Sequence, residues 1–310
     1  MLKYRRFSTV CAFLVIYILI TLITTRRIRK YIYEKNRFYN SLSDIVLVVR
    51  TTSKFHSDRV QAIHDTWYQL TNKQLHLITD KYDDRLYKQF NRVNVCYCKS
   101  GHTIEGLCCR TACEFEVYIN ESSRRESVPK WMCRFDDDQY VNVPRLVKLL
   151  QSIDPNKPQY IGRFSTPLLH RKIPGSNAYA RFRFNTYGAG ICFSLPTISL
   201  LLPFVQRNVI VHQCKLWNLP DDMYIGKLIY HDLKLASKQI PGFHSHLPSS
   251  HYDNIKYIFM SQNLSLLRDQ ISFGFSDRLI FNNNTNYGVY NQMQSLHNTI
   301  YPEILLFYDS

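Results

Sequence analysis

Asp44-Ile45-Val46-Leu47-Val48-Val49-Arg50 is an almost unbroken aliphatic run between two charges. A strand without polar alternation must be covered on both faces, which parallel sheets achieve with helical crossovers. The following sequence supplies such crossovers. Val60, Ile63, Trp67 and Leu70 recur at helical spacing within 57–70. Leu75-His76-Leu77-Ile78-Thr79 and 93–98 read as strands, 105–118 as a helix, and 130–135 as a further strand. Pro144 sits where a first helical turn accepts proline, opening a helix through Leu150. This β-α-β alternation predicts an α/β, Rossmann-like domain with a mostly parallel central sheet, whose ligands bind at the carboxyl ends of the strands. The pattern is weaker in the second half and poor beyond about residue 250. Apolar residues are 45% of the 310 and charged residues 20%, which excludes wholesale disorder.

A separate segment precedes the domain. Phe7 to Thr25 carries no charge and, as a helix, spans roughly 28 Å, enough for a bilayer. A cleaved signal peptide has a shorter apolar run and a small-residue cleavage site, whereas here basic residues follow. The expected organisation is a tail over 1–6, a transmembrane signal anchor over 7–25, a short stem over 26–43 and a lumenal domain over 44–310. Of nine cysteines, Cys11 lies in the apolar run and eight lie beyond residue 95, an even number suited to an oxidising lumen. Asn120, Asn263 and Asn283 begin glycosylation sequons. No two CxxC-type elements complete a zinc site. The net charge is +15, from 39 basic and 24 acidic residues. Seven of the bases lie in 1–30, which has no acid, so the rest carries a surplus of eight. Such a surplus suits an anionic ligand, while nucleic-acid signatures are absent and no nucleic-acid partner is expected.

Four constellations carry chemistry. The strand 131–135 runs into Asp136-Asp137-Asp138, and adjacent carboxylates need a countercharge. Oxygen ligands suit Mg or Mn beside a substrate phosphate; the alternative is an acidic turn capping the next helix. His244 and His246 stand two apart, either as a ligand pair or as ordinary structural histidines. Leu219-Pro220-Asp221-Asp222 opens an apolar helix, so its acids are either helix-start residues that complement the dipole or a general base. Gly188-Ala189-Gly190 allows a close approach to a ligand or simply a tight turn. There is no Walker, dinucleotide-binding or nucleophile-elbow motif.

In order along 44–305, these pieces resemble the Fringe family of β-1,3-N-acetylglucosaminyltransferases, within the inverting β-1,3-glycosyltransferases. The segments Thr51-Thr52-Ser53-Lys54-Phe55-His56, Leu219-Pro220-Asp221-Asp222 and Phe243-His244-Ser245-His246-Leu247 separate it from core-1 galactosyltransferases. The resemblance implies a GT-A fold, a UDP-GlcNAc donor, Mn²⁺ and an acceptor fucose O-linked to EGF-like repeats of proteins such as Notch receptors. It also implies a single-pass type II protein of the Golgi membrane. By position, Asp138 and His246 would hold the metal, Arg59 and Asp137 would contact the donor, and Asp222 would be the catalytic base. Cys98–Cys109 and Cys133–Cys192 would be disulfides, while Cys96, Cys108, Cys113 and Cys214 take no partner from the resemblance. Tyr187 stands where the family has another Gly, and Met223 and Asn298 stand where it has Cys. Tyr187 keeps two alternatives in view: another β-1,3-galactosyl- or glucosyltransferase, or a silent sugar-binding protein on the same fold.

Overall fold

The structure is a computed structural model that describes residues 2–99, 101–165, 168–245, 263–275 and 288–302, with backbone alone for 2–19. The contacts separate 1–42 from 43–310. The first unit is one continuous helix, α1 (Leu2–Ser43). Among the described residues no helix is long and apolar enough to cross a membrane. The uncharged run Phe7–Thr25 falls mainly on 2–19, whose side chains lie outside the description.

The second unit opens as the sequence predicts. In chain order it has β1 (Ile45–Arg50), α2 (Arg59–Asp65), β2 (His76–Thr79), α3 (Asp84–Gln89), β3 (Val93–Val95), α4 (Ile104–Arg124) and β4 (Trp131–Asp136). Then come β5 (Gln139–Val141), α5 (Val143–Gln151), β6 (Tyr160–Gly162), β7 (Leu169–Lys172), β8 (Tyr179–Phe182) and β9 (Ile191–Ser194). The remainder is α6 (Leu195–Leu201), α7 (Arg207–Trp217), α8 (Asp221–Lys227), β10 (Ser237–Gln239), β11 (Phe243–His244), α9 (Leu264–Arg268), β12 (Ser272–Gly274) and α10 (Val289–Ile300).

Seven strands form the central sheet in the order β10-β6-β9-β4-β1-β2-β3. β1 pairs in parallel with both β4 and β2, and every residue of β1 is buried. That coverage is why its sequence shows no alternation. β9 runs antiparallel between β4 and β6. β11, β12 and β5 make a small second sheet, and β7 and β8 a two-stranded ribbon.

Two predicted elements are shorter than the periodicity suggests. The helix over 57–70 breaks at Thr66, whose hydroxyl turns back to the Ala62 carbonyl. A 3₁₀ turn, Trp67–Thr71, follows and lets the Trp67 indole donate to the Gln139 carbonyl at 3.0 Å. The strand over 93–98 ends at Val95 because disulfides take over. Cys96 bonds Cys113 and Cys98 bonds Cys109. Cys109 and Cys113 are four apart on α4 and so share a face, matching two cysteines two apart on an extended segment. Cys108 lies about 100° further round the helix and bonds Cys214 on α7. Cys133 and Cys192 are cross-strand neighbours of β4 and β9 and are bonded. Both pairings implied by the resemblance are present, and the four remaining cysteines pair with one another. All eight cysteines beyond residue 95 are thereby paired.

Candidate active site

The carboxyl ends of β1 and β4 build the site. Register makes Arg50 and Asp136, the last residues of these strands, direct neighbours. Arg50 is buried, and its guanidinium meets Asp221 at 2.6 Å and Asp136 at 3.3 Å. Arg134 has no exposed surface; it meets Asp136 at 2.7 Å and Glu114 at 3.2 Å. Arg50 therefore joins the Asp triplet to the start of α8. Burial alone would raise the Asp136 and Asp221 carboxyls, but Arg134 and Arg50 outweigh it and hold both below the usual range. Asp221 also accepts from the Thr111 hydroxyl at 2.9 Å. It is thus a structural anion, committed to its partners.

The next two acids face differently. Asp137 is buried and accepts from the Thr51 hydroxyl at 2.6 Å and from Arg59 at 3.1 Å. Asp138 lies 3.6 Å from the same Arg59 nitrogen. Burial, then the charges of Asp136 and Asp137, push the Asp138 carboxyl well above its ordinary value despite Arg59. Asp137 and Asp138 flank one guanidinium and set adjacent carboxylate oxygens at a strand end, the ligand type that a hard divalent cation takes. The donor set thus fits such an ion. Residue His246 lies outside the described residues; its neighbour His244 is buried and hydrogen-bonded to Gln270 at 2.7 Å.

Asp222 is the second residue of α8 and is half-buried. Its carboxylate accepts from its neighbour's backbone, the Met223 N–H, at 2.7 Å, and from the backbone N–H of Tyr187. Burial and the adjacent Asp221 charge push it up to about 7, against those two donors. A carboxylate that releases its proton near neutrality is suited to taking one from a hydroxyl.

Tyr187 closes the cluster from the β9 side. Its carbonyl accepts from Gln139 at 3.1 Å, while its ring turns inward, with the Arg134 guanidinium 4.2 Å from the centroid. Tyr187 is 3% exposed, and among the described residues its buried hydroxyl has no hydrogen-bond partner. Its side chain is therefore part of the core beneath the site. Gly190, at φ 81°, ends this turn, and a Cβ there would collide with Phe135, the residue before Asp136. Here the small residue serves close packing behind the triplet.

The structure thus gathers Arg59, Asp137 and Asp138 directly and ties in Asp222 through Asp221 and Arg50. Sequence reasoning passes over Arg50, Arg134, Thr51 and Glu114. One signal for Arg134 was present: a charge inside an apolar strand must have partners.

The chain matches the Fringe-like family over residues 40–298. It is 35% identical over 242 residues to the Fringe glycosyltransferase of Drosophila melanogaster, covering 76% of this chain and 55% of that protein. Against β-1,3-N-acetylglucosaminyltransferase lunatic fringe of Xenopus laevis it is 33% identical over 216 residues, 67% of this chain and 55% of the relative. Against lunatic fringe of Danio rerio it is 30% identical over 279 residues, 85% and 70% respectively. The chain spans about half the length of the first two relatives. The family match runs from just before β1 to within two residues of the end of α10 and takes in every residue of the site. This chain belongs to the Fringe-like family.

Proposed function

We propose that this chain is an inverting glycosyltransferase that moves GlcNAc from UDP-GlcNAc in β-1,3 linkage to fucose O-linked to EGF-like repeats, as in Notch-type acceptors. The observation that carries this reading is Asp222, a carboxyl pushed up to about 7 and tied through Asp221 and Arg50 to the Asp136–Asp138 triplet. Asp222 takes the proton from the fucose 3-hydroxyl as that oxygen attacks the anomeric carbon from the face opposite UDP. The N–H groups of Met223 and Tyr187 fix the orientation of the carboxylate that receives it. Arg59 and Asp137 bind the donor. Asp138, with His246, would hold Mn²⁺, which supplies charge neutralisation for the departing diphosphate. Arg50 holds β1, β4 and α8 in one register, so donor and base face each other from fixed positions.

The relatives named as β-1,3-N-acetylglucosaminyltransferases support this reading. The apolar run 7–25, the paired cysteines and the exposed sequon residues Asn120 and Asn263 support a lumenal domain on a type II Golgi anchor. The direct test incubates the full chain with Mn²⁺, UDP-GlcNAc and a fucosylated EGF-like repeat. Transfer with inversion is expected. No transfer from UDP-GlcNAc would sink the reading, and transfer from UDP-galactose or UDP-glucose alone would replace the donor.

A further inference from the structure

The β7–β8 ribbon stands apart from the central sheet. Apolar contacts hold it: Ala180 and Phe182 are buried in the main core, with Leu169 and Ile173 packed against it. Residues 168–184 contain His170, Arg171, Lys172, Arg181 and Arg183 and no acid. Alternation along β8 turns Tyr179 and Arg181 outward, and the antiparallel register sets Lys172 opposite Tyr179 and His170 opposite Arg181. Residues directly opposite share a face, so these side chains gather on one surface. Arg171, Lys172, Arg181 and Arg183 are all exposed, and among the described residues no carboxylate forms an ion pair with any of them.

The neighbouring turn extends this surface. It follows α8 through a π-helical segment, Leu228–Asp232, and contributes Tyr230, His231 and Lys234. With Tyr179 and Arg181 these line a groove of about 620 Å³. The turn's one acid, Asp232, is taken by Lys227 at 2.8 Å. Unpaired like charges on one face repel, and an anionic partner relieves the repulsion. Exposed tyrosines among them offer the aromatic contact area typical of protein interfaces.

Position gives the surface its meaning. Gly226 of α8 packs so closely on Phe184 that a Cβ would collide with it. The ribbon is thus seated on the helix that carries Asp222. From Arg183, four residues of chain, about 13 Å when extended, lead to Tyr187, whose N–H holds the Asp222 carboxylate.

We infer that the ribbon and its groove are the docking surface for the polypeptide of the acceptor, and that the docked domain presents acidic side chains there. The inference rests on the proposed transfer reaction, because an acceptor sugar must reach Asp222 while its protein lies somewhere alongside. Opposite charges steer such an encounter and fix its register.

The test introduces Lys172→Glu, Arg181→Glu and Arg183→Glu together in the full chain, the exposed cations that register and alternation place on this face. The probe is an O-fucosylated EGF-like domain of net negative charge, with binding measured at about 50 and 300 mM salt. The unaltered chain should bind more weakly at the higher salt. The variant should bind at least roughly tenfold more weakly at low salt and lose most of the salt dependence, with a melting temperature within about 2 °C of the parent. If the triple variant does not fold, Lys234→Glu on the far side of the groove carries the same expectation with a smaller effect. Unchanged binding by a folded variant would overturn the inference. So would weaker binding to phosphatidylserine vesicles with the acidic domain bound as before, which would assign the ribbon to a membrane. Transfer by the unaltered chain to a small aryl fucoside reports on the reaction separately, since that acceptor has no polypeptide to dock.

Discussion

Asp221 and Asp222 are adjacent, chemically identical and opposite in behaviour. Arg50 and Thr111 hold the first as a permanent anion, while burial and the first one's charge leave the second proton-bearing up to about pH 7. Asp222→Asn keeps the shape and removes the acceptor. Folding, UDP binding and Mn²⁺ binding should stay near normal while turnover falls by roughly 10²–10⁴. The sign of the pH effect follows from the protonation state. Asp222 accepts a proton only after losing its own, so turnover should rise with pH through about 7 and level off above it. A pH–rate profile of the proposed transfer by the native chain checks this, and the same profile for the Asn variant should lack that limb. Were Asp222 only a helix-start residue, Asn would serve almost as well and turnover would survive. By local pattern alone these two acids are equivalent, and only the resemblance selects Asp222 as the base. What separates them is Arg50, 171 residues from Asp221 along the chain, whose pairing no local pattern predicts.

Among elements, α4 is the most constrained. Three of its residues are bridged, two toward the 96–98 segment and one toward α7. Replacing Cys108 and Cys214 together by Ala should lower stability by about 2–5 kcal/mol, read from denaturant unfolding, because the bridge closes a 106-residue separation. The first-half strands were readable because doubly buried strands write their burial as unbroken apolar runs. Of the bridges around α4, the resemblance implies Cys98–Cys109, while Cys96–Cys113 and Cys108–Cys214 are not assigned from sequence, although a four-residue helical spacing against a two-residue strand spacing contains the answer for one face. The ribbon was harder still. Its outward residues are cations, which by pattern alone look like an ordinary loop, and only register places them on one face.

For the whole molecule, acid stability has a separable component. His297 is buried between α10 and β5, with its Nδ1 2.9 Å from the Tyr140 hydroxyl, and burial lowers its pKa to about 4. The unfolded chain protonates this histidine near 6.5. The folded chain resists until about 4, so its contribution is complete above 6.5 and is lost as the pH falls from there to 4. The loss is on the order of 2–3 kcal/mol. Other buried acids titrate in the same range, so the difference between the native chain and His297→Gln isolates the effect. That difference should shrink by this amount between pH 7 and pH 4.

The placement of the bridges also decides what a cut chain can do. Cys108–Cys214 and Cys133–Cys192 both straddle the tip of the ribbon, residues 173–178. A protease nick at that tip leaves Asp137 and Asp138 on one fragment and Asp222 on the other, joined by two covalent links. Such a molecule should run as one band until a thiol is added, and as two thereafter. Before reduction, each half of the site still has its counterpart tethered within reach, so nicking alone should leave the site assembled.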